Sequence, residues 1–184
     1  MIRKLLLFLL AASFVHGSGP KLAAQRLSPH DKVSVTLGGK TVTIEYGRPY
    51  LKHPKTGEVR KLGMPNFVPW GQWWRTGADE ATTLTTEVNL TIGSLKVPAG
   101  KYTLYTLPNE KAWKLIVNKQ TGQWGTDYNA DQDLGRVDMQ VQVKTSDKPT
   151  EQFTLSFDQA GESKATLKLA FGNVVASVPF TAAP

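Results

Sequence analysis

The chain has 184 residues, with 22 Lys and Arg against 15 Asp and Glu for a net charge of +7, and it contains no cysteine. The lack of cysteine excludes a disulfide framework, a thiolate metal site, a cysteine nucleophile and an acylated N-terminal cysteine. The basic excess is dispersed, with no basic stripe or interleaved aromatics, so nucleic acid is not an expected partner.

The N-terminus reads as an address. Arg3 and Lys4 precede an apolar run at 5–15, the layout of a secretory leader. The run is too short to cross a bilayer, which takes ~20 apolar residues. Small side chains permit a cut before Ser18, and Ala23-Ala24 permits one before Gln25; the second is preferred because strand periodicity starts only at Val33. Removing 1–24 takes away Arg3, Lys4 and Lys21 and leaves a single domain, 25–184, of 160 residues and net charge +4. That length buries a sizeable core without staples. The expected location is periplasmic or secreted, with no membrane insertion once the leader is gone.

From Val33 onward the chain reads as strand after strand. Val33, Val35 and Leu37 alternate with polar residues, as do Val42, Ile44 and Tyr46, and Gly38-Gly39 between them predicts a tight hairpin. Residues 82–88 form a Thr-rich strand. Val97-Pro98-Ala99-Gly100 has the residues of a type I turn and leads into a strand at 102–107 apolar on both faces. Trp113, Leu115 and Val117 alternate, and so do Val137, Met139, Val141 and Val143, predicting a strand with one wet face. Phe153, Leu155 and Phe157 repeat the pattern, and Leu167, Leu169 and Phe171 meet Val174, Ala176, Val178 and Phe180 across Gly172-Asn173, a second hairpin. No segment sustains a 3.6-residue period. The expected fold is all-β, a β-sandwich or partly closed antiparallel barrel, with Val137, Val141, Phe153, Leu155 and Leu169 in its core.

Between Pro49 and Ala81 the pattern stops. This Gly- and Pro-rich stretch holds Trp70, Trp73 and Trp74 at a spacing that suits one short helical turn with an aromatic face. A long strandless segment in a compact domain points to function. The basic residues from Lys52 to Lys61 around Glu58 read as a solvated loop.

Residues 68–82 read V-P-W-G-Q-W-W-R-T-G-A-D-E-A-T. This run resembles the central signature, approximately V-P-Y-G-x-x-W-R-T-G-A-N-E-A-T, of an uncharacterised bacterial family numbered 2911 among the domains of unknown function. The resemblance extends through Tyr46-Gly47-Arg48-Pro49, Pro98-Ala99-Gly100-Lys101-Tyr102, Asn118-Lys119, Gln123-Trp124-Gly125 and 133–137. Gly47 stands where the family usually has Ser and Asp79 where it has Asn, and 50–62 is expanded. The resemblance implies bacterial export and a β fold, and it implies no activity.

Seven residues are expected around one pocket. Arg48 and Arg75 would grip a carboxylate or phosphate in bidentate fashion, Trp74 and Trp124 would form flat walls, Asn118 and Tyr128 would give directional hydrogen bonds, and Glu80 would pair with Arg75 or serve as an acid or base. Asp79 and Glu80 look like a carboxylate pair, but strand neighbours point to opposite faces and would not share a substrate. Asp127, Asn129, Asp131 and Asp133 alternate like calcium ligands, yet Gln132 stands where such a loop needs glycine, so a solvated acidic turn is the better reading. His30 and His53 are the only histidines of the mature domain and no nucleophile elbow is present, so neither a metal nor a cofactor is expected.

The reading that follows is non-catalytic binding of a small polar or anionic ligand, or an envelope-accessory role. The alternatives are a hydrolase using Glu80, with Arg48 and Arg75 stabilising charge, and a purely structural envelope protein. Export is directly measurable: N-terminal sequencing of protein from its native host is expected to give a start between Ser18 and Gln25, and an intact Met1 on cytoplasmic protein would refute it.

Overall fold

The computed structural model describes residues 28–145 and 147–183; the expected leader lies outside them. Eleven strands form one antiparallel system: β1 (His30–Leu37), β2 (Lys40–Gly47), β3 (Thr83–Thr86), β4 (Leu90–Ile92), β5 (Leu95–Val97), β6 (Gly100–Leu107), β7 (Trp113–Asn118), β8 (Asp133–Val143), β9 (Thr150–Gln159), β10 (Lys164–Gly172) and β11 (Val174–Ala182). Their order is β1-β2-β3-β6-β7-β8-β11-β10-β9, with the short β4–β5 hairpin attached to the far end of β11. The fold is all-β and nearly closes into a barrel. A short helical turn is present at Ala130–Gln132. The Trp-rich segment has none: it runs through turns and isolated bridges, because Trp74 pairs in extended form with Thr106.

β8 is the hinge of the architecture. Its first half pairs with β7 and its second half with β11, so one strand belongs to both layers. Side chains from the two layers meet in a core that includes Leu37, Val42, Ile44, Leu104, Leu115, Val137, Phe153, Leu155, Leu169, Ala176 and Val178. Strand β6 is buried on both faces, as its unbroken apolar character requires. The expected core placement of Val141 needs correction. It is only partly buried and Val143 is 68% exposed, because the second half of β8 has swung past the core to reach β11.

The interior is filled. The apolar cavity among Val42, Leu84, Ile92, Leu115 and Phe180 measures about 10 Å³, at best the room for one water. The interior therefore has no room for a small molecule.

The seam lies between the β1–β2 end of the sheet and β9. The Tyr46 hydroxyl reaches across it, accepting from the Leu155 N–H at 3.0 Å and donating to the Leu155 carbonyl at 3.5 Å. Arg48 donates from Nε to the Phe153 carbonyl (3.0 Å) and from its terminal nitrogens to Thr154 Oγ1 (2.9 Å) and Asp31 Oδ2 (3.2 Å). Beyond it the backbone continues the pairing, with Phe153 N–H on the Pro49 carbonyl (2.9 Å) and Leu51 N–H on the Glu151 carbonyl (2.6 Å). Both backbone groups of Phe153 and of Leu155, and the carbonyl of Glu151, are thus satisfied at the edge.

Tyr46→Phe keeps the ring that packs edge-on against Phe153 at 5.7 Å and removes only the hydroxyl. Two buried backbone groups of Leu155 then lose their partner, which costs about 1–3 kcal/mol. Urea unfolding should show this loss, with faster amide exchange at Leu155; an unchanged midpoint would mean that the seam does not depend on Tyr46.

Candidate functional site

The open end of the barrel beside the seam carries a cleft of about 640 Å³. One wall is the segment after β2, with Tyr50, His53, Glu58 and Arg60; the other is the Trp-rich segment, with Phe67, Gln72, Trp73, Arg75 and Asp79. The lysines of the 52–61 loop are exposed as expected of a solvated connection, while His53, Pro54, Glu58 and Arg60 of the same loop line the cleft.

Local geometry forces the second wall into its path. Trp74 exchanges two backbone hydrogen bonds with Thr106 (2.7 and 2.9 Å), and the chain rejoins β6 only where Leu104 N–H donates to the Thr82 carbonyl (2.8 Å). The residues between bulge outward. Thr76 and Asp79 take positive φ values of 54° and 62°, unfavourable for a β-branched residue such as Thr. Thr76 is held there by its hydroxyl on Thr106 Oγ1 (3.1 Å) and the Trp74 carbonyl (3.2 Å), and by the Thr82 hydroxyl on its own carbonyl (2.9 Å). Gly125 lies so close beneath that a Cβ there would stand 2.7 Å from Arg75 Cδ, so its bare backbone seats the arginine.

Arg75 is the centre of the cleft's electrostatics. It is half-buried, burial lowers its pKa from the ordinary arginine value, and nearby Asp79 offsets part of the effect. Its Nε makes a long contact to the Gly77 carbonyl at 3.4 Å, and among the described residues it forms no ion pair. Arg60 is similar: burial lowers its pKa, Glu58 opposes that, its guanidinium covers Phe67 at 4.5 Å, and one terminal nitrogen donates to the Tyr50 carbonyl. Its Nε is buried without an acceptor. His53 Nδ1 accepts from the Lys55 and Thr56 amides (3.3 and 3.1 Å), which places the imidazole proton on Nε2.

Of the seven residues expected to converge, Trp74 and Arg75 line this cleft. Trp74 is 6% exposed and packs edge-on against Trp113 and Phe153, so it is core that touches the site. Arg48 is consumed by the seam. Asn118 is fully buried at the end of β7, donating to the Asn129 carbonyl (2.8 Å) and Asp133 Oδ1 (2.9 Å) and accepting from Gln120 N–H (2.9 Å). Tyr128 donates to Asp133 Oδ2 (2.8 Å) and accepts from Arg136 (2.9 Å); these bonds also tie up the acidic turn. Tyr128 serves the cleft indirectly, packing at 4.9 Å against Trp73, which Tyr105 braces from 5.7 Å. Trp124 is 46% exposed and bridges to Glu80 outside the cleft.

The carboxylate pair is also arranged differently from expectation. Asp79 is not on a strand. Its left-handed backbone turns it so that both Asp79 Oδ2 and Glu80 Oε2 face His30 Nε2, at 3.6 and 3.2 Å. The two neighbours converge instead of opposing. Among the described residues no group of three His, Asp or Glu side chains is disposed to hold a metal.

The family described as a protein of unknown function, DUF2911, matches residues 28–180, and the chain belongs to it. No curated protein and no solved structure matches the chain.

The Tyr128 phenol is pushed up to about 12, chiefly by burial and next by its hydrogen bond to Asp133. A pKa raised on folding means that the protonated phenol stabilises the fold. That contribution is complete below pH ~10 and is lost as the pH climbs from ~10 towards ~12. In an absorbance titration of tyrosinate, Tyr128→Phe should remove a late-titrating phenol and flatten the alkaline fall in unfolding free energy. An unchanged titration curve would contradict the assignment.

Proposed function

We propose that this chain is an exported, non-catalytic binding domain that takes a small anionic ligand in the cleft, with Arg75 as the anion-binding group. One observation carries the reading. A half-buried guanidinium without an ion pair among the described residues lines a cleft large enough for a small molecule. Desolvating a charge is costly unless something pairs with it, and unpaired, perturbed charges in clefts mark binding sites. A carboxylate or phosphate accepting from Arg75's terminal nitrogens would supply the missing partner. Export is supported by Arg3, Lys4 and the 5–15 run. The hydrolytic alternative has less support, because Glu80 faces His30 and does not line the cleft.

Arg75→Ala separates a binding role from a structural one. Removing a charge that holds no ion-pair partner strands nothing, so the variant should stay folded within about 1 kcal/mol of the parent. Thermal melts against a panel of small carboxylates and phosphates should show a ligand-dependent rise for the parent that Arg75→Ala loses. A large drop in stability, with no panel member moving the parent's melting point, would overturn the proposal.

A further inference from the structure

Resting on that reading, we infer that the ligand is an acidic sugar, a hydroxyl-rich ring bearing a carboxylate. The interior void is too small for a ligand; of the two surface clefts, the one of about 360 Å³ beside Trp70 and Phe171 lacks an arginine, and the one that Arg75 lines has a volume in the roughly 300–1,000 Å³ range of small-molecule sites. Three features of its walls narrow the chemistry.

The first is flat apolar surface. Trp73 is 39% exposed and Tyr50 36%, and both line the cleft. Trp73 is held in place by the rings of Tyr128 and Tyr105, and the Tyr50 backbone, though not its ring, is fixed by the bridge to Gln152. Aromatic faces left wet at a cleft, one of them braced, suit a ligand with a flat C–H face that covers them.

The second is mixed charge. Glu58 acts on Arg60 and Asp79 on Arg75, yet neither comes within ion-pair distance of its arginine. The cleft therefore offers strong acceptors beside strong donors. A ligand with a second full negative charge would meet Glu58 and Asp79 as well as Arg60 in the same cleft. Hydroxyl groups donate and accept at once, so a ring of them meets both kinds of wall while its single carboxylate takes Arg75.

The third is surplus donors. The Arg60 guanidinium lines the cleft with one terminal nitrogen committed to the Tyr50 carbonyl, and His53 keeps its proton on Nε2 because backbone amides occupy Nδ1. Both side chains offer N–H donors to oxygen acceptors beyond the one carboxylate that Arg75 binds.

Isothermal titration of the purified protein with D-glucuronate, D-galacturonate, D-glucose, succinate, inorganic phosphate and L-glutamate tests this. A hexuronate is expected to bind at least about tenfold more tightly than glucose, succinate, phosphate or glutamate. Arg75→Lys, which keeps the charge but loses the fork, and Tyr50→Ala, which leaves that residue's backbone bonds intact, should each weaken it severalfold with the fold unchanged by circular dichroism. Succinate or phosphate binding as tightly as the hexuronates would overturn the sugar assignment and leave the Arg75 anion site standing. Tightest binding of glutamate would replace it with a zwitterion site. Silence from all six would remove both the sugar and the anion site.

Discussion

A β-sheet that curls almost into a barrel ends in two strands whose outward backbone groups have no automatic partner, and those groups must be satisfied or the edges invite other chains. Here the answer is side chains as well as backbone. Tyr46 and Arg48 supply hydrogen bonds to Leu155 and Phe153 on β9, and the chain beyond Arg48 takes over with ordinary pairing to Phe153 and Glu151. At the far end, Gly38 N–H bonds the Glu162 carbonyl at 2.7 Å and Gln159 reaches the Thr36 carbonyl at 2.9 Å. Closure is thus pinned at both ends and in the middle.

The candidate site follows from that closure. Because 49–51 is committed to β9, the expanded loop that follows it is delivered to the open end, opposite the bulge that leaves β6 at Trp74 and returns at Thr82. One wall of the cleft is a by-product of sealing the sheet, and the other of a strand that leaves it. Arg75 sits where they meet, with a glycine backbone behind it and cleft in front.

The fold was legible because period-two alternation is a direct imprint of burial on one face. It placed β1, β2, β7, β9, β10 and β11 and both flanking hairpins. It passed over β4 and β5, three residues each, which are too short to show a period. It overextended the core along β8 because alternation persists in Val141 and Val143 after the strand has left the interior. The site was less legible for a related reason. Arg48, Asn118 and Tyr128 are polar residues beside apolar ones, and sequence alone cannot separate a polar group that completes a backbone from one that awaits a ligand. Asp79 departs from the strand rule because a single left-handed residue reverses side-chain direction. The signal for the missed wall was present in the length of 50–62, and Arg60, His53 and Glu58 are its chemistry.

Gly47 carries a consequence for the rest of the family. A Cβ at that position would stand 2.2 Å from the Ala78 carbonyl oxygen, more than an ångström inside ordinary contact. Relatives with serine there cannot hold their 77–79 turn where this chain holds it. Position 47 and the turn are sterically coupled, and since that turn forms part of the cleft, a one-residue exchange on a buried strand end resets the shape of a surface cleft.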